Sequence, residues 1–180
     1  MTDMHLRPAI LADAPAIARL HLASWRQAYR DLAPREAFEA MDEALRVRRW
    51  TATLTEPSAQ RAVIVAELDG RLAGVGMAAA PSQPGFGARG EICSLYLDPA
   101  FQRLGLGRRL MSALAEQIAS WGYRGAALGV VVGNEPAIAF YESLGGRGAG
   151  KYIDPGPLWR SDNLIFVWDE VSDLIGAASR

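Results

Sequence analysis

The sequence predicts a single α/β domain with a mixed, mainly antiparallel sheet flanked by helices. Three observations carry that reading. The chain has 180 residues, half of them hydrophobic and 22% charged, which suits one folded domain and not a disordered tail, a collagenous repeat or a coiled-coil rod. Its first third carries helical periodicity. From Ala62 onward short β-branched runs alternate with turn residues and with further helical stripes.

Leu6 to Ile10 reads as a short extended segment, and Asp13 as the N-cap of a first helix. Ile17, His21, Trp25, Ala28 and Tyr29 recur at spacings of three and four on one face of that helix, and Pro34 supplies its stop. Arg35 to Met41 and Glu43 to Leu54 read as two more helices, ended by Glu56-Pro57-Ser58. Ala62 to Ala66 and Leu72 to Ala80 read as strands joined by Asp69-Gly70, a dipeptide suited to the tight turn of a hairpin. After an irregular stretch from Pro81 to Gly90, Glu91 to Leu97 reads as a strand closed by Asp98-Pro99. Leu106, Leu110, Ala113 or Leu114, Ile118 and Trp121 form a helical stripe stopped by Gly122. A strand over 126–132 follows. Asn134-Glu135-Pro136 opens a short helix that ends at Gly145-Gly146, and the strands 148–153 and 163–169 flank a Pro/Gly-rich loop. Residues 170–180 read as a C-terminal tail.

Lys plus Arg number 19 against 20 for Asp plus Glu, so no basic excess exists to bind nucleic acid or an anionic membrane. Lys151 is the single lysine, and the positive charge is nearly all guanidinium. Cys93 stands alone, which excludes an internal disulfide, and His5 and His21 offer no zinc-like spacing, so no metal is expected. The charged residues Asp3, His5 and Arg7 interrupt any leader-like run, and no stretch approaches the length of a membrane span. The expectation is a cytoplasmic protein.

The stretch Asp98 to Arg108 carries the most information, because it joins a strand to the strongest helical stripe. Gly105 and Gly107 permit a tight turn that leaves the first helix amides unpaired at the positive end of the helix dipole, an arrangement that attracts phosphate. Arg103, Arg108 and Arg109 add charge at its mouth. The same glycines also fit a helix start with no ligand. A dinucleotide fingerprint would need a third small residue where Leu110 stands, and a P-loop would need Gly-Lys-Ser/Thr.

Gln102-Arg103-Leu104-Gly105-Leu106-Gly107 resembles the Q/R-x-x-G-x-G/A signature of the GNAT (Gcn5-related) N-acetyltransferases. Asn134 to Gly145 is similar to the family's N-x-x-A-x-x-x-Y-x-x-x-G, 32 positions after Gln102. Trp25-Arg26-x-Ala28-Tyr29 is similar to many bacterial members, and the resemblance spans roughly residues 5 to 169. It implies a GNAT-like acyl-CoA N-acyltransferase fold whose sheet splays between the strands at 91–97 and 126–132. It implies acetyl-coenzyme A as co-substrate. Leu95, Tyr96 and Leu97 would then offer strand-edge groups to the pantetheine arm, and the amides from Arg103 through Leu104, Gly105, Leu106 and Gly107 to Arg108, beside Gln102, would hold the pyrophosphate. Asn134 would bond the pantetheine side, and Tyr141 would serve as general acid for the departing thiolate.

The chemistry sets its own demand. An alkylamine with a pKa of about 10.4 must give up a proton worth roughly 4.6 kcal/mol at pH 7 before its nitrogen can attack a thioester. Glu91, eleven residues before Gln102, stands where the histone-modifying branch of the family keeps its catalytic glutamate, and it is the candidate base. A strand-end carboxylate is the bland alternative, as a packing tyrosine is for Tyr141. The branch that acetylates ribosomal-protein N-termini has its glutamate five residues before the asparagine, where this chain has Gly129. Gly146 stands where the family usually has phenylalanine.

Trp25, Arg26, Tyr29 and Arg30, at the end of the first helix, are candidates for the acceptor wall, where Arg26 or Arg30 could hold an acceptor carboxylate or phosphate; the alternative makes Trp25 and Tyr29 core anchors and the arginines a solvated face. His21 reads as a satisfied, partly buried histidine, Cys93 as inert, and Arg46, Arg48 and Arg49 as a solvated face paired with Asp42 and Glu43. Tyr152 to Asp162, with Asp154, Trp159 and Arg160 between prolines and glycines, is long enough to overhang an acceptor pocket or to pack on a partner subunit. The reading is an N-acetyltransferase acting on a small amine or amino-acid derivative in a ternary complex. Its alternatives are a protein or peptide acetyltransferase, a non-catalytic acyl-CoA-binding module, and a binder of another diphosphate. Edge strands near the C-terminus allow a homodimer.

Overall fold

The structure, a computed structural model, describes residues 4–180; residues 1–3, the start of the charged N-terminus, lie outside the described residues. Seven strands form one sheet: β1 (Met4–Pro8), β2 (Arg61–Leu68), β3 (Arg71–Ala79), β4 (Gly90–Leu97), β5 (Ala126–Val131), β6 (Arg147–Asp154) and β7 (Ser161–Trp168). Their order is β1-β2-β3-β4-β5-β7-β6, and every neighbouring pair is antiparallel except β4–β5. The helices are α1 (Ala14–Ala28), α2 (Arg35–Ala40), α3 (Glu43–Thr55), α4 (Leu106–Ser120), α5 (Glu135–Ser143) and α6 (Val171–Ala178).

The sheet buries both faces. On one, Met111, Leu114, Ala115 and Ile118 of α4 pack with Leu128, Phe166 and Trp168 of the sheet, and each fully buried Leu or Ile contributes about 1.5–3 kcal/mol over its exposed state. The glycines of β3 matter here: a Cβ at Gly74 or Gly76 would lie within 3.0 Å of the Leu110 or Leu114 side chain. On the other face, Ile17, Ala18 and Leu20 of α1 and Trp50 of α3 cover Val65 and Val75.

The β2–β3 hairpin turns on Asp69 and Gly70, both at positive φ (50° and 75°). That pair of angles belongs to the two-residue turn that the Asp-Gly dipeptide favours. In β4 the register against β3 shifts so that Met77 faces Ser94 and Ala78 faces Ile92, leaving Cys93 as the extra residue of a bulge. The parallel pairing of β4 with β5 is confined to Gly90–Ala126 and Glu91–Ala127. Beyond it the strands part, β5 continuing against β7 as far as Val131–Asn163. The splay expected between these two strands is therefore present.

Three local expectations change. The segment read as a tail, 170–180, contains α6, whose Val171, Leu174, Ala177 and Ala178 are buried, the first two and the last within the α4 core. Residues on an apolar helical face cannot stay in water when a matching face lies beside them. The first helix stops at Ala28 and does not run to Pro34, because the Tyr29 carbonyl accepts the N–H groups of both Leu32 and Ala33. Asp13 does not cap α1 with its side chain. Its carboxylate accepts the Ile10 N–H at 2.8 Å and pairs with Arg7, which also reaches Glu67 of β2.

Candidate active site

A cavity of about 700 Å³ opens where β4 and β5 part. One wall is the second half of β4, whose edge has no strand partner past Glu91 and so presents the backbone of Leu95, Tyr96 and Leu97. The far wall is α5, with Asn134, Phe140 and Tyr141. The floor is the turn into α4, lined by Gln102, Arg103, Gly105, Gly107 and Arg108.

That turn is built for close approach by an anion. Arg103 and Gly105 both lie at positive φ (64° and 81°), which tilts successive amides toward one side of the chain. The first backbone bond of α4 runs from the Arg109 N–H to the Gly105 carbonyl at 3.2 Å. The amides of Leu106, Gly107 and Arg108 precede it and have no helical acceptor. Gly107 lacks a side chain where one would press on the Phe140 ring at 3.2 Å, so α5 lies directly over the start of α4. The Leu106 side chain is buried in the core and the Leu104 side chain is exposed, neither lining the cavity, which leaves their backbone as what they offer. Gln102 donates to Gln27 at 3.0 Å. Arg108 donates to the Ala177 carbonyl at 2.9 Å and to Ser143 at 3.3 Å, tying the turn to α6 and α5. Arg109 points instead toward the Met4 carbonyl.

Asn134 caps α5, its side chain accepting the Ala137 N–H at 3.4 Å, and it is buried. Tyr141 stands two turns further along. Its ring is held by Phe140, Phe166 and Trp168, with centroids 5.5, 6.3 and 6.4 Å away. Trp168 and Phe166 also occupy the space that a side chain at 146 would need, and Trp168 donates to the Leu144 carbonyl at 2.9 Å. The end of α5 thus receives its aromatic packing from β7. The Tyr141 hydroxyl has no hydrogen-bond partner among the described residues, and burial, then the proximity of Tyr96, push its pKa upward. It is a protonated donor aimed into the cavity at neutral pH.

A second cavity of about 300 Å³ lies across the splay and shares Tyr29, Ile92, Cys93, Tyr96 and Gly129 with the first. Glu91 lines it, one oxygen accepting the Ser82 N–H at 2.7 Å. Trp25 and Tyr29 line it as well, packed together at 5.2 Å, and burial raises the Tyr29 phenol. Arg30 is exposed and lines neither cavity. The end of β6 at Asp154 and the Pro/Gly-rich segment that follows it, with Gly156 and Trp159, line this cavity. Tyr152 fills the space in front of Gly129, its hydroxyl standing where a side chain at 129 would begin. Burial, with Asp154 and Glu91 nearby, pushes that phenol up to about 12.

His21 is buried, stacked on Tyr96 at 3.9 Å, and its Nδ1 accepts the Trp50 Nε1–H at 3.1 Å. Burial, then Arg46 and Arg49, push its pKa down to about 3. The unfolded chain takes up that proton near the ordinary 6.5, so stability is complete above this value and is lost as pH falls. Between pH 6.5 and 4.5, before ordinary carboxylates titrate, the folded protein loses about 2 kcal/mol. Denaturant titrations across this range are expected to show that slope, and His21→Gln, which keeps an acceptor for Trp50, to flatten it. Cys93 is half-buried and its thiol is pushed upward by burial, then by Glu91, so it is a poor nucleophile.

The arginines of α3 differ from expectation. Arg48 and Arg49 are exposed, but Arg46 is buried, and none pairs with Asp42 or Glu43. Asp42 caps α3 by accepting the Leu45 N–H at 2.6 Å, and Glu43 reaches Arg19. Arg46 stands four residues before Trp50 and so shares its buried face, a signal the charge pattern concealed. Tyr152 and Asp154, which open the segment read as an overhang, lie at the end of β6, and their place at this cavity follows from strand pairing across the splay. Among the described residues no helix is long and apolar enough to cross a membrane, and no group of three His, Cys, Asp or Glu could hold a metal.

A sequence profile of the Acetyltransferase (GNAT) family matches residues 17–146. The uncharacterized N-acetyltransferase YuaI of Bacillus subtilis is 26% identical over 138 residues, 77% of each chain. Among solved structures, yncA of Salmonella typhimurium, a putative acetyltransferase with its cofactor acetyl-CoA, superposes with a TM-score of 0.68 at 24% identity, covering 94% of both chains. The ribosomal-protein-alanine N-acetyltransferase of Brucella melitensis gives 0.68 at 25% identity, over 91% of this chain and 98% of its own.

Proposed function

The chain belongs to the GNAT acetyltransferase family, and on that premise we propose that it transfers the acetyl group of acetyl-coenzyme A directly to the nitrogen of a small amine. The observation that carries this reading is the pair of cavities meeting at the splay, with a hydroxyl donor on one side and a carboxylate on the other. The larger cavity fits the co-substrate: free helix amides suit a pyrophosphate, an unpaired strand edge suits the amides of a pantetheine arm, and yncA was solved with acetyl-CoA. The smaller receives the acceptor.

Glu91 takes the proton that the ammonium form of the acceptor must lose, directly or through water. The nitrogen then attacks the thioester carbonyl, the N–C bond forms, the C–S bond breaks, and the nitrogen, positively charged after attack, releases its second proton to solvent to leave the neutral amide. Tyr141 donates its hydroxyl proton to the departing thiolate and regains one from solvent. A base at position 129 is not part of this scheme, since that residue is glycine and Tyr152 occupies the space before it. Initial rates with both substrates varied test direct transfer. Intersecting lines are expected, whereas parallel lines would indicate an acetyl-enzyme and put Cys93 back in play.

The base role makes its own prediction. Glu91→Gln is expected to slow turnover by about 10²-fold near pH 7, with the deficit shrinking as pH rises and the amine sheds its proton unaided. A rate ratio that stays constant with pH would reduce Glu91 to a structural residue.

A further inference from the structure

The second cavity carries a buried charge that forms no ion pair among the described residues. Arg46 is 9% exposed, and among the described residues its side chain makes one hydrogen bond, from Nε to the Met41 sulfur at 2.8 Å. A thioether is a weak acceptor, and a buried guanidinium left with nothing better destabilises the protein that holds it. Among the described residues every side-chain nitrogen or oxygen sealed from solvent has a partner. The terminal nitrogens of Arg46 have none, so they open on the cavity that Arg46 lines.

Two neighbours deepen the asymmetry. Arg49, one turn along α3, lines the same cavity and adds positive charge. His21 accepts from Trp50 at Nδ1, which places its proton on Nε2, a donor with no partner among the described residues. The cavity also has an acidic side. Glu91 enters from β4 and Asp154 from the end of β6, and among the described residues neither forms an ion pair with either arginine. Opposite charges in a space of about 300 Å³ that do not neutralise each other are held apart by the fold.

We propose that the acceptor is an amine carrying an oxyanion, a carboxylate or a phosphonate, which Arg46 receives with Arg49 and the Nε2–H of His21 while Glu91 and Asp154 receive the nitrogen. This rests on the acetyl-transfer reading and narrows its substrate class to zwitterionic amines of amino-acid size. A guanidinium fork suits either oxyanion, and the cavity is at the small end of ligand sites.

The test compares free amino acids, aminoalkylphosphonates, amino-acid amides and the corresponding decarboxylated amines as acceptors for the wild-type enzyme. Acids or phosphonates are expected to show a kcat/KM at least about tenfold above the amides, the better of the two naming the oxyanion. Arg46→Gln is expected to bring the acid-to-amide ratio toward one, with acetyl-CoA binding by calorimetry reporting that the variant is folded. If that variant does not fold, the wild-type comparison still decides. Amides or simple amines acetylated as well as acids would overturn the oxyanion proposal and leave acetyl transfer standing. Acetyl-CoA binding with none of the four classes acetylated would overturn the transfer reading and this proposal with it.

Discussion

Tyr141→Phe is expected to lower kcat by about 10²-fold and by no less than tenfold, because a positioned general acid contributes about 10²–10⁴. The affinity for acetyl-CoA is expected to stay within about twofold, since the ring keeps its packing against Phe166 and Trp168 and loses only the hydroxyl. The phenol suits the role because it is protonated at neutral pH and no neighbour among the described residues claims its proton. Steady-state rates with a fixed amine, together with calorimetry, check both halves. An unchanged kcat would remove Tyr141 from the chemistry, and a lost affinity would make it a packing residue of the cavity wall.

The largest stability effect is expected at Leu174, fully buried in α6 against the α4 core. Leu174→Ala removes buried methyl groups and leaves a cavity, which costs about 2–5 kcal/mol. For a chain of this size that corresponds to a fall in Tm of about 5–15 °C. The exposed neighbour Ser172 serves as control, Ser172→Ala being expected to leave Tm within about 1–2 °C. The effect should reach function, because Arg108 of the cradle donates to the Ala177 carbonyl of the same helix. A thermal scan in which Leu174→Ala melts with the wild type would show that α6 is not part of the cooperative core.

These two residues mark what the sequence makes legible. Tyr141 and Asn134 could be found because they lie on one short helix, where spacing fixes their relation whatever the rest of the chain does. The Asp69-Gly70 hairpin was readable for the same reason, its turn being decided by two adjacent backbone angles. Gly105 and Gly107 belong to this local class too. Leu174 is different, since a short apolar helix is stable only against a partner face, and that face comes from α4. Trp168 packing over Gly146, Tyr152 standing before Gly129 and Arg46 lining the smaller cavity all depend on pairings between distant segments. Arg46 was further hidden by company, since three arginines within four positions look like a wetted surface until the helix is set on the sheet. Arg30 is the opposite case, exposed and lining neither cavity. It follows Tyr29 by one residue, but the end of α1 before it turns it outward.

The most direct test of the account is release of free coenzyme A from acetyl-CoA with the wild-type protein, with and without small amines, alongside calorimetric titration of acetyl-CoA alone. Saturable binding of acetyl-CoA is expected, with thiol release that depends on an amine. Absence of binding would contradict the assignment of the larger cavity, and binding with no amine-dependent release from any acceptor would contradict the transfer chemistry built on Tyr141 and Glu91.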